Sequence, residues 1–194
     1  MRKILLSAFE PFGGSDLNSS AMVLEKISLM DRDAVITKMT LPVLYEKAFY
    51  LLKDKIKQVN PDAVVCMGQA GGRNKVCVER IAVNINDSSA PDNGSTIKTD
   101  ETIIQGKPAA YYTNLPYKKM VAATGDEAAV SYSAGTYICN DIFYRLMEYI
   151  ETEDLHITGG FLHLPFTEHF GKMPYIDLEK QADIVWTMLQ AMGE

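Results

Sequence analysis

The sequence predicts a single α/β domain spanning residues 1–194, and three observations carry that expectation. Residues 3–9 read as a short buried strand and 61–67 as a continuously apolar one, the pattern of a strand buried on both faces of a parallel sheet. Between them, Leu44, Ala48, Leu51, Leu52, Ile56 and Val59 recur at helical spacing, with lysines on the opposite face. A chain of 194 residues is long enough for one well-cored domain and short for two, and no repeat, linker or low-complexity segment divides it.

Taken in order, residues 3–9 form the first strand, and Asn18 to Ser20 offer cap oxygens to a helix running to about Met30. Residues 34–41 alternate as a second strand ending at Pro42, and the helix over 44–59 covers the sheet. The strand over 61–67 empties into Gly68-Gln69-Ala70-Gly71-Gly72-Arg73, and 76–85 is a β-branched, alternating strand holding Glu79 and Arg80. From 86 to 115 the pattern dissolves into turn chemistry, and a loop of that length is either functional or mobile. A helix over 116–123, a strand over 128–132 and a helix to about 150 follow. A last strand over 156–164 and an amphipathic helix over 178–192 close the chain.

Charge and composition exclude several classes of function. The net charge is −6 with no run of lysine or arginine, which argues against a nucleic-acid surface. The apolar start, 1–8, is interrupted at once by Glu10 and Pro11, so we expect a buried strand, no membrane span and a cytoplasmic protein. Three widely spaced cysteines, Cys66, Cys77 and Cys139, form neither a disulfide framework nor a metal-ligand spacing, so no metal or cofactor is expected.

The stretch Ser131-Tyr132-Ser133-Ala134-Gly135-Thr136-Tyr137-Ile138-Cys139-Asn140 reads as strand, tight turn and helix start, the geometry that lifts a side chain into the open. The residue lifted is Cys139. Helix-start amides and the positive end of the dipole favour its thiolate, whereas a free cysteine elsewhere usually fills core space. Cys66, inside a strand, reads as inert; Cys77, on the same face as Glu79, is a minor rival. Glu79 and Arg80 are either edge decoration or a polar site. His163 ends its strand on the same sheet edge as the Cys139 turn if the strands are parallel. Phe9-Glu10-Pro11-Phe12-Gly13-Gly14 places two rings beside a strand end, either as core or as a flat apolar wall at the sheet's working edge. The glycine-rich turn after 67 lacks both nucleotide spacings, and its bare amides suit a carbonyl or an oxyanion equally well.

These segments, with Gly160-Phe161-Leu162-His163-Leu164-Pro165, resemble pyroglutamyl peptidase type I, the pyrrolidone-carboxylate peptidase family of cysteine exopeptidases. The likeness runs in order over essentially the whole chain. It implies a three-layer α/β/α sandwich with a mostly parallel, mixed central sheet. It implies a triad of Glu79, Cys139 and His163, and a pocket formed by Phe9 and Phe12 with Asn18, Gln69 and Tyr137 nearby. It also implies peptides with an N-terminal pyroglutamate as substrates, no metal, and a homo-oligomer, dimer or tetramer. Two departures stand out: Asn18-Ser19-Ser20 lacks the family's usual proline, and Ser89 occupies a position where relatives usually carry arginine.

Under that reading Cys139 attacks the pyroglutamyl carbonyl, His163 shuttles the proton and Glu79 orients the imidazole. The oxyanion donors are the Cys139 amide and one from the Gly71-Gly72 turn. Two other readings remain: a catalytically silent binding relative of the same fold, and a phosphate-dependent enzyme like the nucleoside phosphorylases.

Overall fold

The computed structural model describes residues 1–27 and 34–193. Its centre is a six-stranded sheet in the order β2-β1-β3-β8-β4-β7. The strands are β1 (Arg2–Phe9), β2 (Ala34–Leu41), β3 (Ala63–Gln69), β4 (Val76–Glu79), β7 (Ala128–Ser131) and β8 (Thr158–Leu164). β2, β1, β3 and β8 are parallel neighbours. β4 pairs antiparallel with β8 and parallel with β7, so the sheet is mixed, as the family resemblance implied.

Side-chain alternation along each strand divides the apolar residues between two faces. On one face Ile4, Leu6, Ala8, Val65, Met67, Leu162 and Leu164 pack against α1 (Ser19–Lys26), α3 (Tyr117–Ala123) and α5 (Leu178–Ala191). On the other, Leu5, Phe9, Val64, Cys66 and Phe161 pack against α2 (Lys47–Val59) and α4 (Ile138–Thr152). The result is a three-layer sandwich. No helix among the described residues is long and apolar enough to cross a membrane.

Several sequence expectations are corrected. The strand expected over 76–85 breaks at Arg80: β5 (Ile81–Val83) leaves the sheet and pairs antiparallel with β6 (Ala110–Tyr112). Arg80 makes the turn, its N–H donating to Ser131 O and its guanidinium lying over the Tyr112 and Tyr117 rings. The condition set for His163 to share an edge with the Cys139 turn, parallel strands, is not met, since β7 runs opposite to β8. The chain crosses back through 132–137, with Gly135 at φ 75°, a left-handed conformation that glycine adopts without strain. The first helix ends at Lys26, its C-cap at Ile27 rather than near Met30; residues 28–30 lie outside the described residues.

The 86–115 segment is tied down, not structureless. Asp92 accepts from the N–H groups of Tyr45, Gly94 and Thr96, and Asn93 Nδ2 donates to Glu10 Oε1 and Pro11 O. Tyr137 Oη donates to Pro91 O at 2.8 Å. These bonds strap the segment across the ends of β1 and β2.

Tight packing in β8 generates a stability prediction. A Cβ at Gly160 would lie 2.3 Å from both Leu115 Cδ1 and Thr113 Oγ1, and that threonine hydroxyl already donates to Gly159 O. Gly160→Ala should therefore destabilise the fold by about 1–3 kcal/mol through overpacking. Urea unfolding will show it as a lower midpoint at unchanged slope; an unaltered midpoint would mean that the site yields freely.

Candidate active site

Three adjacent strands, β3, β8 and β4, bring the site together on the sheet face covered by α4. Register pairs Gly68 of β3 with His163 of β8, and His163 with Cys77 of β4. Glu79, two residues beyond Cys77, projects from the same face. Its Oε1 lies 2.7 Å from His163 Nδ1, and neither side chain has appreciable exposure. Because a carboxylate offers only acceptors, Nδ1 carries the hydrogen and Nε2 is left as the proton-accepting nitrogen.

Cys139 enters this group from above, in the first turn of α4. Its Sγ would lie 2.8 Å from a Cβ at Gly68, so glycine there is what lets the sulfur rest against β3, beside the strand position of His163. Tyr137, the N-cap, supplies no side-chain acceptor, so no cap side chain occupies the first-turn N–H groups. Those amides and the dipole are the features that predicted a thiolate. Burial outweighs them: together with the Glu79 carboxylate it pushes the Cys139 thiol up to about 12, against the downward pull of Arg73. Burial also lowers His163 below the ordinary histidine value, although Glu79 pulls it upward. Burial therefore works against the thiolate that the helix start favours, and against the imidazolium as well.

Next to the sulfur is a slot of about 50 Å³ lined by Phe9, Phe12, Asn18, Val43, Gln69, Tyr137, Ile138 and Cys139. Phe9 is almost fully buried and its ring packs 6.5 Å from that of Phe161, so it serves as both core and wall. Phe12 and Tyr137 face one another at 6.4 Å between ring centroids, with Tyr45 edge-on behind Tyr137. Asn18 is spent on the framework: Oδ1 accepts from Ser20 N and Oγ, and Nδ2 donates to Glu10 O. Gln69 Oε1 accepts from Ser19 N at 2.9 Å. A backbone N–H can only donate, so the amide oxygen must face Ser19, and Nε2 becomes the donor on the slot side.

Of the residues nominated from sequence, Phe9, Phe12, Asn18, Gln69, Tyr137 and Cys139 line this slot, with His163 and Glu79 beside it. Gly71 does not line it; its α-carbon packs against the Phe166 ring, 2.2 Å from where a Cβ would sit. Val43 and Ile138 escaped sequence reasoning. Ile138 adjoins the nucleophile candidate, and Val43 follows β2, whose Leu41 is register partner to Phe9, but only the parallel pairing reveals the second. Cys66 is fully buried and pushed up to about 12, and Cys77 lies outside the slot. Among the described residues no group of three or more His, Cys, Asp or Glu side chains is placed to hold a metal ion.

Comparison with known proteins gives the chain's family and supports its fold. The pyroglutamyl peptidase family model matches residues 2–178. The pyrrolidone-carboxylate peptidase of Bacillus velezensis is 41% identical over 169 residues, 85% of this chain and 79% of the relative. Pyrrolidone-carboxylate peptidase 1 of Caldanaerobacter subterraneus is 38% identical over 98% of this chain and 97% of its own. The crystal structure of pyroglutamyl peptidase I from Bacillus amyloliquefaciens superposes with a TM-score of 0.94 at 37% identity, covering 99% of this chain and 95% of that one. The pyrrolidone carboxyl peptidase of Thermococcus litoralis gives 0.93 at 31% identity, covering 99% and 93%. With the family model covering most of its length and relatives this similar, the chain belongs to the pyroglutamyl peptidase family of cysteine-type hydrolases.

Proposed function

We propose that this protein removes an N-terminal pyroglutamyl residue from peptides through a Cys139–His163–Glu79 triad and an acyl-enzyme. The observation that carries the reading is a buried Glu79–His163 pair beside a partly exposed cysteine that also lines a narrow aromatic slot. Burial disfavours both charged forms, so in this reading proton transfer is part of the attack: as Sγ bonds to the pyroglutamyl carbonyl carbon, the thiol proton passes to His163 Nε2. Glu79 then stabilises the imidazolium and holds it in place. The carbonyl oxygen gains charge at the first turn of α4, where the Cys139 amide donates to it. Collapse expels the peptide amine, which takes the proton from His163. Water, activated by the same imidazole, releases pyroglutamate and restores the thiol.

Specificity follows from the slot. Phe12 and Tyr137 form a flat apolar clamp, and Gln69 Nε2 is placed to donate to the lactam carbonyl. No carboxylate lines the slot, so an open-chain glutamine would bury its ammonium without a counterion. That costs on the order of several kcal/mol and excludes ordinary N-termini.

The test is release of a fluorophore from a pyroglutamyl amide. Cys139→Ala and His163→Ala should each lower kcat by about 10⁵–10⁶-fold, and Glu79→Gln by a smaller factor of about 10³–10⁴. Turnover that survives in Cys139→Ala but vanishes in Cys77→Ala would overturn the choice of nucleophile.

The direction of the His163 shift sets the pH dependence. The imidazole must be neutral to accept the thiol proton, and burial disfavours its charged form. The acid limb of kcat/KM should therefore lie below the ordinary histidine value of about 6.5, with a plateau through neutrality. A limb above that value would contradict the burial argument.

Gly68→Ala probes the fit of the sulfur against β3. A Cβ there would press on both Sγ and Phe161 Cζ, at 2.8 and 2.7 Å. Displacing the nucleophile should cost about 100-fold in kcat while the protein stays folded. Full activity in this variant would show that the sulfur reacts from elsewhere.

A further inference from the structure

Glu79 has a second partner on the oxygen that holds His163. Arg73 reaches in from the glycine turn after β3, its Nη2 lying 2.9 Å from Glu79 Oε1 and 3.1 Å from Ser133 O. The two contacts join three pieces of chain: the turn carrying Arg73, the strand carrying Glu79, and the 132–137 crossing that delivers Cys139. Among the described residues Glu79 forms ion pairs with Arg73 and His163 and with no lysine or other arginine. The neighbouring Arg80 points away, donating to Thr113 O between two tyrosine rings. Glu79 Oε2 makes no hydrogen bond within the protein, so the carboxylate is fixed entirely through Oε1.

We propose that Arg73 is a positioning residue for the triad, holding the buried Glu79 carboxylate against His163 and tying the Cys139 crossing to that same carboxylate. This rests on the triad reading above. A fully buried carboxylate is stable as an anion only when paired, and an imidazole whose charged form burial disfavours is a poor counterion. The guanidinium supplies the permanent charge, and one of its nitrogens, Nη2, reaches both the carboxylate and the carbonyl. Arg73 does not line the slot, so it acts on the reaction without gripping the pyroglutamyl ring.

Charge gives the arrangement a signature that simple packing lacks. The titratable and charged groups around the imidazole are Glu79 and Cys77 from β4, Cys139 from α4 and Arg73 itself. Arg73 disfavours the imidazolium and favours the thiolate, so it lowers both His163 and Cys139. These effects oppose one another in the driving force for proton transfer. The rate loss on removing Arg73 then reads misplacement, while the titration of His163 reads the missing charge.

The experiment compares wild type, Arg73→Ala and Arg73→Lys by two measurements. The first is kcat and KM for a pyroglutamyl fluorogenic amide across pH. The second is the titration of isotope-labelled histidine followed by NMR, with exposed His156 and His169 as internal references. For Arg73→Ala we expect kcat down by about 10- to 100-fold, the range typical of lost supporting contacts. KM should change little, and both the acid limb and the His163 titration should move to higher pH. Arg73→Lys should bring the titration back towards wild type while leaving kcat depressed, since the shorter lysine chain does not carry its ammonium to the carboxylate and the Ser133 carbonyl together; if Arg73→Ala fails to fold, that split in the lysine variant carries the test. A His163 titration unmoved in Arg73→Ala, with activity falling only in proportion to the folded fraction, would overturn the proposal. Should wild type release no fluorophore, the peptidase reading fails, yet the His163 titration still decides the role of Arg73.

Discussion

One buried carboxylate constrains the rest of the site. Glu79 has no exposed surface, and an anion so placed must be neutralised by groups the fold brings to it. Two arrive at the same oxygen, His163 from the neighbouring strand and Arg73 from the turn before β4. The pair with His163 fixes which ring nitrogen carries hydrogen, and so which one can serve the sulfur. That requirement also explains why β4 is short. It delivers Glu79 to the sheet face and ends there, and Arg80 then turns the chain out to the β5–β6 ribbon.

The mixed topology solves a placement problem. In an all-parallel sheet, residues at one edge reach a ligand from strand ends alone. Here β4 runs against β8, so Glu79 lies alongside the body of β8 and bonds His163 diagonally across the pair. The nucleophile comes from a third direction, down onto the bare backbone of Gly68. The slot is then closed by loops whose polar groups are bound to one another: Asn18 to Glu10, Asn93 to Glu10 and Pro11, Tyr137 to Pro91. A framework held this way is preorganised, and little ordering remains for a small rigid ring to impose on binding.

How much of this was legible in the sequence depends on the range of the interaction responsible. The β2 strand, α2 and α5 follow from local periodicity and appear close to where it puts them. The helix start at Cys139 was equally plain. Strand direction was not: apolar runs say that a strand is buried and are silent about which way it runs, so the antiparallel β4 went unseen. The break at Arg80 was hidden because Ile81–Val83 has the same β-branched character as the strand before it, and its partner lies some thirty residues on. The surroundings of Cys139 were half legible for a related reason. The helix dipole is a local feature, whereas the burial that opposes it comes from the folded chain. Gln69 was marked as a pocket residue, but which end faces inward depends on Ser19, fifty positions away in sequence. Arg73 sat within a recognised motif and gave no sign of reaching Glu79.

The central claim is that the Cys139 sulfur becomes covalently bonded to the pyroglutamyl carbonyl during turnover. Acid-quenching the protein within milliseconds of mixing with a pyroglutamyl ester, followed by intact-mass measurement and peptide mapping, tests it most directly. The account predicts an adduct of one pyroglutamyl group confined to the peptide containing Cys139. Turnover with no adduct at any time point, or an adduct on Cys77, would contradict it.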